Sequence, residues 1–410
     1  MSAGKPAPTE FEWVFGEEAW RHRPGATTTD PPPARAGWNL AIRRLGVVLL
    51  VITVVAMFVW QQVVAGSRRL QRDIEAAIAL EDAAWATHDA EAVAVLLDPE
   101  APPEWRQRLL RQARRGEASS PVIAVEAIRL RHNLAIVPVL VQSSPDHLRR
   151  EHRFYRLTAV GWRRTYPPAS FWGSRQELNT THFRFLYHEA DADAVLALAA
   201  EVEALYAGMV RDFGLEAIAG ERTFVVEVVP EDEPTQYLVG RDWLRTGSPW
   251  LESLPVEFSL RDILARKVGD WVAAQLIYRR GNLNVMAAPA LRLILYCLSQ
   301  EAARAWAPVD PAWDEARRQY LRQAIAAERW SPPEQLTPFP LAASAWQERS
   351  YQCSTVGEFI IEAYGPTRFG DLIAATRGRY YWQDVVEAGL GVPYREFLAG
   401  WQAFLRRRYG

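Results

Sequence analysis

The chain has 410 residues, 49% of them hydrophobic, with 47 Lys plus Arg set against 49 Asp plus Glu. That near balance, with the basic residues scattered along the chain, gives no electrostatic footprint for nucleic acid, and two cysteines are too few for a disulfide framework. The length leaves room for two domains with cores of their own behind an amino-terminal segment.

Residues 1–44 include PGATTTDPPPARAG, rich in proline and threonine and without apolar periodicity, so they read as a disordered tail. The run Pro31 to Pro33 leaves a docking peptide in polyproline form as the alternative to a passive linker. From Leu45 to Ser67 no residue is charged, and a helix of that length matches a hydrocarbon core of about 30 Å. A single transmembrane helix is therefore expected over 45–66, with Trp38 and Trp60 near the interfaces and Arg43, Arg44, Arg68 and Arg69 outside it. Arg35, Arg43 and Arg44 before the span balance Arg68, Arg69 and Arg72 after it, so charge does not orient it. The size of the carboxyl-terminal part does: the expectation is a bacterial single-pass protein of the cell membrane, its amino terminus cytoplasmic and its domains extracytoplasmic, with the membrane as a partner.

After Arg68, Leu70, Ile74, Ala77, Ile78 and Trp85 recur at helical spacing, and AEAVAVLLD and PEWRQRLLRQARRG read as two further helices. The period then changes to two. PVIAVEAIRL, NLAIVPVLVQ, HRFYRLTAV and GWRRTY read as four strands separated by turn residues, which makes residues 67–173 an α+β unit. This order, closing on RFYRLTAVGWRRTYPPASFWG, resembles the nuclear-transport-factor-like, or SnoaL-like, cone fold. The resemblance implies a curved sheet around an apolar pocket, hence binding of a small hydrophobic ligand as one functional alternative. His88, Asp89 and His152 are the polar residues to follow there.

Beyond the join, HFRFLY alternates as a strand, residues 191–213 form an amphipathic helix, RTFVVEVV is a strand, and Pro230 to Pro255 reads as a long loop. Ser259 and Asp262 form a capping pattern ahead of LRDILARKVGDWVAAQLIYRR, a helix with an apolar face. The order over 174–410 is similar to the peptidase MA-like domain of gluzincin-type metallopeptidases, most clearly in the closing helices with Tyr364-Gly365, Leu390-Gly391 and Trp401. The fold expected overall is α+β: a transmembrane helix, a cone-like domain, and a mostly helical gluzincin-like domain with a small sheet.

In that family the central helix carries His-Glu-x-x-His, two imidazoles one turn apart for zinc and a glutamate as base. The matching positions here hold Arg266, Lys267 and Asp270, and the two cations repel a divalent metal. Residues 189–410 contain no histidine at all, and His188-Glu189 has Ala192 where a second ligand would be needed. The third ligand of the family, a glutamate on a following helix, has Glu315 as its nearest counterpart, out of register. The resemblance thus implies a degenerate metallopeptidase with no catalytic residues, metal or cofactor. Trp243, Trp250 and Trp271, with Glu315, are the candidate lining of a cleft for an extended peptide or another envelope protein. The leading expectation is a membrane-anchored, noncatalytic peptidase-like binding or scaffold protein; a hydrolase using non-histidine chemistry is the alternative enzyme reading. Cys297 and Cys353 lie in apolar contexts and read equally as buried thiols or as a pair.

Overall fold

A computed structural model describes residues 36–116, 120–144, 147–216, 222–231, 236–237, 242–280, 291–336 and 343–410. The tail predicted over 1–44 lies outside the described residues as far as residue 35. The chain divides into two compact units, Met1–Ser67 and Arg68–Gly410.

Helix α1 is Ala36–Ala86. Among the described residues no helix is long and apolar enough to cross a membrane. The expected transmembrane helix over 45–66 is corrected accordingly, and with it the membrane and single-pass assignments, the cell-membrane localisation and the cytoplasmic and extracytoplasmic sides. Side chains 45–48, 51, 63 and 64 lie outside the described residues, and the unbroken uncharged run that is described, 52–62, which includes Thr53, Gln61 and Gln62, spans about 16 Å of helix. The rest of α1 carries Arg68, Arg69, Arg72, Asp73 and Glu75.

From Arg68 onward the fold is a mixed α/β arrangement of two sheets. Helices α2 (Ala90–Leu96) and α3 (Pro103–Arg114) precede strands β1 (Val122–Val125), β2 (Arg129–Arg131), β3 (Leu134–Ser144), β4 (His147–Thr158) and β5 (Gly161–Thr165). The strands pair antiparallel, with β3 against β4 from Leu134 opposite Arg156 to Ser144 opposite His147. Side chains alternate as the period of two requires. Ala135, Val137, Val139, Val141 and Tyr155 face Ile74 and Ile78 of α1. Leu134, Ile136 and Phe154 face the other way, toward Phe171 and Trp172 of the short α4 (Ala169–Trp172) and toward Trp250. Within the first of these layers the buried Glu81 carboxylate accepts from the Tyr155 hydroxyl at 2.7 Å and stands between Arg153 and Arg164.

The second sheet has the order β6-β7-β8-β10-β9, where β6 is Arg175–Asn179, β7 Phe183–His188, β8 Phe224–Val229, β9 Gln236–Tyr237 and β10 Trp243–Gly247. Strands β7, β8 and β10 are parallel and the two edges antiparallel. Helix α5 (Ala192–Asp212) makes the crossover from β7 to β8, which parallel neighbours need. Strand β11 (Leu254–Pro255) leaves this region and pairs with Arg150 and Arg149 of β4, joining the first sheet.

Helix α6 (Leu260–Arg280) runs through the centre of the larger core. Its start is capped as the sequence indicates: Asp262 accepts from the Ser259 amide at 2.9 Å and the Ser259 hydroxyl at 2.7 Å. Leu264, Val268, Trp271, Val272 and Leu276 are fully buried, the aliphatic ones each contributing about 1.5–3 kcal/mol of transfer free energy. Around it stand α7 (Arg292–Ala303), α8 (Pro311–Ala326), α9 (Ala343–Tyr364), α10 (Arg368–Ala375), α11 (Trp382–Leu390) and α12 (Tyr394–Tyr409). Gly269 lets α6 meet Trp306 closely, since a Cβ there would lie 2.6 Å from the indole Cγ. Trp401 is fully buried and its indole N–H donates to the Thr355 hydroxyl at 3.0 Å. Cys297 and Cys353 are buried free thiols.

Candidate functional site

Arg266, Lys267 and Asp270, which the sequence resemblance set against a zinc motif, do not face one way. Arg266 and Asp270, one turn apart on α6, line a cavity of about 550 Å³. Lys267 points instead toward the second sheet, where it donates to the Thr246 hydroxyl on β10 at 2.9 Å and pairs with Glu252. Adjacent positions of one helix thus point to different places: Lys267 to Thr246 and Glu252, Arg266 with Asp270 to the cavity wall.

The rest of the wall comes from α7 (Tyr296, Cys297, Gln300, Glu301), from α9 (Trp346, Gln347, Ser350, Ser354) and from the segment leading into α8, with Trp313. The Arg266 guanidinium lies 5.4 Å from the centre of the Phe258 ring, a cation–π contact that holds it in place. Burial pushes the Asp270 carboxyl up to about 7, against the opposing effects of a Gln300 hydrogen bond and of Arg266. Burial also raises Glu301 to about 7; Arg304 opposes the shift and Glu358 adds to it. Two carboxyls in one cavity therefore hold their protons close to neutral pH.

Asp310, at the cavity rim, caps α8 by accepting from the Ala312 amide at 3.0 Å, and it pairs with Arg149 of β4 at 2.9 Å. Burial raises this carboxyl, and Arg149 together with the Ala312 and Trp313 amides more than offsets it, leaving it below its usual range. A smaller cavity of about 240 Å³ shares Asp310 and continues along Arg149, Leu148 and Pro255. The rim of the main cavity is thereby tied to the first sheet.

The residues expected to line a cleft are placed elsewhere. Trp271 is fully buried in the core, and its indole N–H has no hydrogen-bond partner. Trp250 fills the space between the sheets, edge-on to His152 and Phe171 at 4.7 and 5.6 Å, with its indole N–H donating to the Ala190 carbonyl at 2.9 Å. Trp243 opens β10, and Glu315 is an exposed carboxylate of α8 within 3.3 Å of Arg322. The residues that spacing did not single out are Gln300 and Glu301, which stand on α7 beside Asp270 where a following-helix ligand was sought. Their signal in the sequence is a pair of polar residues inside the apolar run LILYCLSQEAARAW.

Among the described residues, no three His, Cys, Asp or Glu side chains stand together as a metal-binding group. The polar candidates of the first unit of strands are engaged separately. Asp89 caps α2 by accepting from the Glu91 and Ala92 amides, His88 takes a positive φ in the turn before it, and His152 is half-buried beside Trp250. Burial, with Arg129 and Arg150 adding to it, lowers the His152 imidazole to about 4. Comparison with protein families, characterised proteins and solved structures gives no match for this chain.

Proposed function

We propose that residues 68–410 form a noncatalytic binding or scaffold protein with the build of a peptidase, whose main cavity holds a segment of extended polypeptide. The observation that carries this reading is the cavity over the Arg266 and Asp270 face of α6, the two positions that the sequence resemblance sets against the zinc motif of the peptidase MA-like family. Its volume falls in the range of sites for small ligands, about 300–1,000 Å³. Three aromatic rings, Tyr296, Trp313 and Trp346, offer apolar contact, while Gln300, Gln347 and Ser350 offer hydrogen bonds to a main chain. An arginine at the wall and histidine-free surroundings suit retention of a peptide better than its hydrolysis. The test is fluorescence anisotropy of the full chain against a library of extended peptides, with mass spectrometry of each bound peptide after incubation. Saturable binding of intact peptides, abolished by the cavity-filling Ser350→Trp, is expected; absence of binding across the library, or chelator-sensitive cleavage, overturns the proposal.

A second reading, a hydrolase using non-histidine chemistry, draws on Asp270 and Glu301, since a carboxyl that titrates near 7 in a cavity is suited to general acid–base work. Peptide cleavage that survives chelation and is lost in Asp270→Asn would put this reading first.

A further inference from the structure

A different opening, of about 490 Å³, lies between α8, α9 and the end of α12, and none of the chemistry above uses it. Five arginines line it: Arg304 just after α7, Arg317, Arg318 and Arg322 on α8, and Arg408 on α12. Two side-chain carboxylates, Asp314 and Glu358, share the lining with Tyr409 and the terminal Gly410.

Arg317 forms a fixed floor. Its side chain is 5% exposed, and it donates to Glu358 at 2.8 Å and to the Ser354 hydroxyl at 3.1 Å. The guanidinium is held 5.5 Å from the Trp313 ring centre and 5.6 Å from that of Tyr409. Its Nε, buried, has no hydrogen-bond partner among the described residues. Glu358 is shared among Arg317, Arg304 at 3.1 Å, Arg408 at 4.0 Å and the Tyr409 hydroxyl at 2.5 Å, so one negative charge faces three guanidinium groups. Burial raises the Glu358 carboxyl, and Arg317, the Tyr409 hydroxyl and Arg304 together more than offset it, leaving it below its usual range.

The remaining arginines are arms. Arg318, Arg322 and Arg408 are 51%, 60% and 55% exposed; Arg322 pairs with Glu315 at 3.3 Å and Arg408 with Glu362 at 3.7 Å, both outside the lining, while Arg318 pairs with Asp314 at 2.9 Å within it. Exposed pairs of this kind are weak and exchange readily for a stronger anion, and arginine's planar fork matches phosphate oxygens two at a time.

We propose that this opening binds a small soluble oxyanion carrying two or more phosphate groups, with Arg304 and Arg317 as its floor and Arg318, Arg322 and Arg408 closing over it. The experiment is isothermal titration calorimetry of the full chain with inorganic tripolyphosphate at an ionic strength of about 0.15 M, where long-range attraction is largely screened. One saturable site is expected, and orthophosphate should bind at least about tenfold more weakly because it engages fewer guanidinium forks. Arg318→Ala with Arg322→Ala, and separately Arg408→Ala, should each weaken tripolyphosphate binding about tenfold or more, while Arg211→Ala, at an exposed arginine of α5, leaves it unchanged. These side chains are exposed, so the variants are expected to keep the parent circular dichroism spectrum. Absence of a saturable site, or equal affinity in the rim variants and the Arg211→Ala control, overturns the proposal.

Discussion

Asp270 lets the cavity be probed through stability alone. In the folded chain its carboxyl keeps a proton up to about 7, whereas an unfolded chain releases it near 3.8. Between those values the native state binds more protons than the unfolded state, so stability falls as pH rises through the window, and the whole cost is present above 7. From pH 5 to pH 8 this covers about two pH units, or about 2.7 kcal/mol at full strength. Water reaching the carboxyl from the cavity screens it and reduces the figure to about 1.5 kcal/mol. Arg266 and Gln300 act on the group, and Glu301 titrates in the same range, but these are common to the parent and the variant and cancel in a difference. Asp270→Asn keeps the size and has no proton to lose. Urea unfolding of the full chain at pH 5 and pH 8 should therefore show the variant gaining about 1.5 kcal/mol on the parent between the two conditions. A parent and variant whose stabilities change in parallel would refute the burial of this carboxyl and the cavity wall built on it.

Gly269→Ala should lower stability by about 1–3 kcal/mol, because the new methyl group meets the buried Trp306 ring and neither helix backbone has room to retreat; an unchanged melting temperature would contradict the close approach of α6 to that ring. Trp250→Ala should cost about 3–5 kcal/mol in denaturant unfolding, since it empties the space between Phe171 and His152 and strands the Ala190 carbonyl. Faster amide exchange in β4 than elsewhere in the first sheet should accompany the loss.

The sequence was most legible where pairing is local and the apolar period strong. The alternation in NLAIVPVLVQ and HRFYRLTAV foreshadowed β3 and β4, and the 191–213 periodicity anticipated α5 nearly residue for residue. Strand β10 was hidden inside what read as the loop from Pro230 to Pro255. It is short, ends in Gly247-Ser248-Pro249, and gains its place from parallel pairing with β8, which no local pattern reveals. The same holds for β11, two residues whose partner lies about a hundred positions away. At the site, the periodicity of the central helix was readable and placed Arg266 and Asp270 one turn apart. The companion carboxyl was not, because a template spacing led to Glu315, whose side chain is exposed, past the buried Glu301 on the preceding helix. Burial, which separates those two glutamates, is a tertiary property. The tryptophans misled for a related reason: an indole that anchors a core and one that borders a cleft look alike in sequence.

The pairing of β11 with β4 has a practical consequence for anyone dissecting this protein. A gene fragment ending near residue 173 would lack the two residues that cover Arg149 and Arg150, leaving part of a strand edge with its amide and carbonyl groups open to whatever chain comes next. The complementary fragment would carry Leu254 with nowhere to lie. Edges left open in this way recruit one another, so both fragments should be prone to precipitate, and residues 68–410 are the smallest piece to express.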